Sequence, residues 1–190
     1  YQITYQATYN ATAANCEGHW NSLYSLINKA NVCIDGFRGA GSRGTVPAAT
    51  ALQYEAECRF LRALSHHELM IHYARPYLDG NGTQIGVPYR DFAVNIPSTV
   101  DQVRNLPRAV SDSVYRRILR DLDFAEANMA TTTTGTARTV RATKAAAIAL
   151  KMRVYSHMGN WAAVKAEGDK LIPATLTPLN PSGVVSPIGA

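Results

Sequence analysis

Tyr54-Glu-Ala-Glu-Cys-Arg-Phe-Leu-Arg-Ala-Leu-Ser-His-His-Glu68-Leu69 decides the fold. Leu52, Ala56, Phe60, Ala63, Leu64 and Ile71 recur at helical spacing through and beside it, so one helix face is apolar. Glu55, Glu57, Arg59 and Arg62 fall largely on the other faces, where i,i+4 charge pairs form. Pro76 stops the pattern, and the spacing predicts a helix over 48–73.

Working outward, Trp20, Leu23, Tyr24, Ile27, Ala30, Asn31 and Ile34 give the stripe of an earlier helix over 10–35. Gly36 to Pro47 is rich in glycine and reads as a loop. The segment 77–110 holds Pro88, Pro97 and Pro107 and reads as a long irregular loop, of the kind that is usually functional or mobile. Val114, Ile118, Leu122, Ala125 and Met129 predict a helix over 111–129 with Ser111 as N-cap. A polar linker at 131–135 separates it from an Ala-rich helix over 143–158, capped by Thr143. Gly159 suits a C′ position and Asn160 an N-cap, opening a short helix over 161–171. The expected fold is all-α, a tetratricopeptide-like helical solenoid core with long irregular loops. It occupies 1–172 as one domain, and 173–190 is an extended, Pro-rich tail or the start of a further segment. No clean 34-residue self-repeat is present, so the core is solenoid-like rather than a pure repeat array.

Composition bounds the function. Charged residues make up 17% of the 190, below the roughly 25% of an average domain. The net charge is +5, but Asp101, Asp112, Asp121 and Asp123 are threaded through Arg104, Arg108, Arg116, Arg117 and Arg120. Mixed signs read as a solvated, ion-paired helix surface rather than a nucleic-acid stripe. No apolar run approaches the roughly 18 residues of a membrane span. The chain opens at Tyr1 without Met or a signal peptide and reads as a mature or excised piece. Cys16, Cys33 and Cys58 form no CxxC and read as buried free thiols.

The catalytic motifs fail on context. Gly39-Ala-Gly41-Ser-Arg-Gly44 matches GxGxxG, but a helix precedes it and Thr45-Val-Pro47 follows, so no helix N-terminus meets a pyrophosphate. His67 and His72 stand at i,i+5, about 140° apart around a helix, and cannot share one zinc ion. There is no GxSxG elbow and no singled-out carboxylate pair. The expectation is therefore no enzyme, no metal and no cofactor. Ten tyrosines offer amphipathic rings, including Tyr1, Tyr5 and Tyr9 at every fourth residue. The candidate ligand contacts lie in the two loops: Arg38, Arg43, Tyr77, Tyr89, Arg90 and Phe92, which pair hydrogen-bonding cations with stacking rings.

The central stretch resembles the Glu-x-Arg-Phe-Leu-Arg-Ala core of the SusD/RagB family. Four further blocks are similar to that family, in the same order. They are Trp20-x-x-x-Tyr24-x-x-Ile27-Asn28-Lys-Ala30-Asn31, Gly86-Val87-Pro88-Tyr89, Val114-Tyr115-x-x-Ile118-x-x-Asp121-Leu122-x-x-Ala125, and Arg141-Ala-Thr-Lys144 onward through Arg153 to Trp161-x-x-Val164. The resemblance spans about Trp20 to Leu171 and implies the N-terminal helical portion of a longer nutrient-binding lipoprotein. It implies a non-catalytic capture of glycans or other nutrients beside a SusC-like TonB-dependent outer-membrane transporter. It also implies the cell outer membrane as location, with a lipid anchor in the parent protein. The alternative is a tetratricopeptide-like interaction scaffold. The ordered blocks and the missing repeat argue against it.

Overall fold

Six helices occur among the described residues, 13–130 and 140–172, of a computed structural model. They are α1 (Ala14–Ser42), α2 (Ala48–Tyr73), α3 (Pro97–Arg104), α4 (Ser111–Asn128), α5 (Lys144–His157) and α6 (Trp161–Asp169). Expectations for 10–12, for Tyr1, Tyr5 and Tyr9, for the 131–135 linker and for the 173–190 tail fall outside the described residues.

The long helices pack in series. α1 lies on α2, α2 on α4, α4 on α5 and α5 on α6, with only a slight α2–α5 contact. This is the all-α, solenoid-like arrangement that the periodicities predict. The main core joins Tyr24 and Ile27 of α1, Ala63, Leu69 and Met70 of α2, Val114, Ile118 and Leu122 of α4, and Leu150 and Val154 of α5. A second cluster, Ala56, Ala125, Met129 and Ala147, carries the contact further along α2, α4 and α5. The small side chains there let the backbones approach.

α2 follows its predicted bounds, yet its buried face differs from the predicted one. Leu52 is 44% exposed, whereas Glu55, Arg62, His66 and His67 are buried. The reason is position. A helix held between α1 on one side and α4 on the other buries two faces, and the second is polar. Phe60 packs partly buried against both clusters.

α1 runs seven residues beyond its predicted end, through the glycines read as a loop. One of those glycines, Gly41, serves close packing. A Cβ on Gly41 would stand 2.9 Å from the Ala51 methyl of α2. The turn itself is delayed to Gly44, whose φ of +70° only glycine takes without strain. Gly44 N–H and Thr45 N–H then donate to Gly41 and Ala40 carbonyls and close the helix end. Helix α3 interrupts the long irregular segment, because Pro97 stands at N1, where a missing N–H costs nothing. Ser111 is the first helical residue rather than the N-cap, which is Val110, and its buried hydroxyl has no partner. Thr143 and Asn160 cap α5 and α6 as expected, accepting from Ala146 and Ala163 N–H at 3.2 and 3.1 Å.

The 74–110 segment is a strap laid back across α1. Tyr24, Asn28 and Asn31, on one face of α1, hold it. Tyr24 donates to the Pro88 carbonyl at 2.7 Å. Asn28 both donates to and accepts from Val94, and Asn31 donates to the Arg90 and Phe92 carbonyls. A single antiparallel bridge, Ile85 to Val110, closes the strap's base. Arg108 fastens the base by donating to the Gly86 and Tyr73 carbonyls, both at 2.6 Å. The cysteines are free, but none is fully buried as expected: Cys16 and Cys58 are half-buried and Cys33 is exposed.

Candidate functional site

Where α1, α2, α4 and the strap converge, charge replaces hydrocarbon. Asp121 of α4 has no solvent exposure. Arg62 of α2 grips it with two bonds, at 2.8 and 2.6 Å, and Tyr89 of the strap donates to it at 2.7 Å. Arg62 also donates to the Asn31 side chain at 2.7 Å and to the Asp91 carbonyl. Burial disfavours the guanidinium, but its bonds to Asp121 outweigh that and raise its pKa. Two turns earlier on α2, the Glu55 carboxylate accepts from Arg38 at 2.7 Å and from Arg59 at 2.8 Å. Burial pushes the Glu55 pKa up, and the two arginines overcome this and hold it below the usual value. Such a carboxylate stays ionised and has no proton to donate as a general acid.

Above this floor opens a polar cleft of about 340 Å³, lined by Arg38, Arg59, Arg62, Asp91 and Arg120. Arg59 is fixed three ways, by Glu55, by Asp121 at 3.5 Å and by the Phe124 ring, 3.8 Å below its guanidinium. Arg38 and Arg120 form the mouth, with side chains 49% and 63% exposed. The arrangement can bind polar groups and oxyanions. Among the described residues no cluster of three or more His, Cys, Asp or Glu is placed to hold a metal ion.

The six sequence-predicted contacts do not gather in one place. Arg38 reaches the cleft, from a helix instead of a loop. Arg43 sits at the end of α1 and is exposed. Tyr89 is buried with its ring stacked on His66, 4.0 Å between centroids, so that ring face is taken. Tyr77 meets Tyr115 edge-on and donates to Asp112. Arg90 lays its guanidinium 4.2 Å over the Tyr24 ring, and its Nε is buried without a partner. Phe92 is half-buried in the strap beside Asp91. Periodicity missed Arg59, Arg62, Asp91 and Arg120. The available signal was Asp121 standing between Ile118 and Leu122 on a core stripe, since a carboxylate there needs buried cations.

His66 and His67 are both core residues. Arg90 N–H donates to His66 Nε2, so Nδ1 carries the proton and donates to the Arg62 carbonyl at 3.0 Å. His67 is buried against Tyr115 and His157 with neither ring nitrogen bonded.

The family model described as SusD-like, "starch-binding associating with outer membrane", matches residues 2–156. The chain belongs to the SusD-like family. A SusD superfamily protein from Bacteroides fragilis superposes with a TM-score of 0.79 at 30% identity, covering 92% of this chain and 39% of that one. One from Bacteroides thetaiotaomicron VPI-5482 gives 0.71 at 22% identity, covering 82% and 31%. A laminarin-binding SusD-like protein gives 0.60 at 24% identity, covering 78% and 28%. The SusD-like chain therefore spans only about a third of the length of these relatives. A comparison with curated proteins gives no match.

Proposed function

We propose that this SusD-like chain is the helical part of a glycan-capturing, non-catalytic component of an outer-membrane uptake system. It works beside a SusC-like TonB-dependent transporter and is held at the outer membrane by a lipid anchor of the parent protein. The family match over residues 2–156 carries the reading. The relative described as laminarin-binding supports a glycan as ligand. The chemistry is compatible: the cleft offers fixed hydrogen-bond donors, and its carboxylates are tied to guanidiniums rather than poised for proton transfer.

Ligand contact is proposed at the cleft and its strap, through Arg38, Arg59, Arg120 and the Asp91–Phe92 edge, with Arg43 further along α1. The Tyr89 ring is assigned to packing. The test is calorimetric titration of the folded chain with oligosaccharides from starch and laminarin and a wider glycan panel, and co-purification of the parent with its transporter. Saturable binding without turnover is expected. A folded chain that binds no glycan, or that hydrolyses one, overturns the reading.

A further inference from the structure

We propose that the cleft between α1, α2, α4 and the strap selects an acidic sugar, one carrying a carboxylate or a sulfate ester; this deepens the glycan reading and rests on it. Four guanidiniums, Arg38, Arg59, Arg62 and Arg120, surround the cleft. Three carboxylates face them, Glu55, Asp91 and Asp121. One positive charge is left over.

Its location follows from the bonds. Arg62 spends four of its five N–H groups on Asp121, Asn31 and the Asp91 carbonyl. Arg59 is held by Glu55 and stacked on Phe124. Arg38 spends one contact, Nη2 on Glu55 Oε1 at 2.7 Å. Arg120 has only Asp91, at 3.8 Å, beyond hydrogen-bonding distance. Unspent N–H donors therefore gather at the mouth, on Arg120 and on Arg38, which shares the single Glu55 charge with Arg59. A planar fork of N–H groups matches a carboxylate or sulfate two bonds at a time. The other side of the cleft is rigid, because Arg62 and Asp121 are buried and cross-bonded, so the ligand need not order it. About 340 Å³ is at the small end for ligand sites, room for a terminal sugar rather than a long stretch of chain. Asp91 in the lining rejects a second negative charge on its own side and fixes the orientation of the first.

The experiment titrates the 190-residue chain with a galacturonate trisaccharide, its fully methyl-esterified form, a sulfated galactan trisaccharide and its desulfated form, with sodium acetate and sodium sulfate as ring-free anions. One or both acidic sugars should bind about tenfold or more tighter than their neutral partners at low salt, a difference that shrinks as salt rises. Which acid binds tells carboxylate from sulfate. Arg120→Gln should remove most of that preference with an unchanged melting temperature, since the side chain is exposed, and Arg38→Gln should weaken it further. Equal affinity for acidic and neutral sugars, or a preference untouched in Arg120→Gln, overturns the acidic-sugar proposal and leaves glycan capture standing. Acetate or sulfate binding as tightly as the sugars overturns the role of the ring. Binding of no sugar at all overturns both readings.

Discussion

Asp121 shows why single residues matter more here than their exposure suggests. It is a fully buried charge, stable only because Arg62 and Tyr89 complete its shell. Asp121→Asn would leave Arg62 ionised in the core with a weakened partner, and the loss should be about 3–5 kcal/mol in urea unfolding. Asp101→Asn, on the exposed pair with Arg104, should change stability by less than about 1 kcal/mol. Equal small effects at both positions would contradict the buried network. His66 and His67 carry a second consequence. Burial chiefly lowers both rings from the ordinary 6.5 to about 3, so the unfolded chain takes up protons first. Their neutral forms contribute fully above about pH 6.5, and stability is lost as pH falls from there toward 3, about 1.4 kcal/mol per pH unit for each ring. His67→Leu removes a titrating group that has no hydrogen bond to lose. Its melting temperature should therefore fall less than that of the parent between pH 7 and pH 5; an unchanged slope refutes the assignment.

At the scale of elements, the strap is the feature that most changes the reading of the sequence. Its length suggested a functional or mobile loop, and α1 holds it through Asn28 and Asn31. Asn31→Ala takes their Asn31 partner from the Arg90 and Phe92 carbonyls and from one Arg62 N–H. The expected cost is about 2–4 kcal/mol, with faster amide exchange at Arg90 and Val94. Unchanged exchange there would mean that the strap is held by something else. Much of this level was legible beforehand. The stripe of Ile27, Ile34, Val114, Ile118 and Leu122 is buried as its spacing required. The signal failed where glycine served packing, as at Gly41, and where proline opened a helix, as at Pro97. It failed again where a helix buried a polar face, as α2 does with Glu55 and Arg62. Helical spacing reports one apolar face; it cannot report that a second, charged face is covered by a neighbour distant in sequence. The cleft was illegible for the same reason, since Arg38, Arg62 and Arg120 meet only after α1, α2 and α4 have packed.

At the scale of the molecule, serial packing predicts graded rather than uniform stability. A helix in the middle of the stack has two neighbours and an end helix has one. Among the described helices α6 packs only on α5, and Trp161 at its start is 67% exposed. What holds α6 is largely polar: Lys151 of α5 bonds Asp123 and Glu126 of α4 and Glu167 of α6, at 2.7, 2.8 and 2.8 Å. Burial works against the Lys151 charge, but these carboxylates outweigh it and raise its pKa. Native-state hydrogen exchange should therefore open α6 at a lower free energy than α2 or α4. Lys151→Met should widen that gap, because Glu167 keeps only the half-exposed Lys170 as a partner. α6 amides as slow as those of α2, in both the parent and Lys151→Met, would show that the chain unfolds as one cooperative unit and that the stack is not modular.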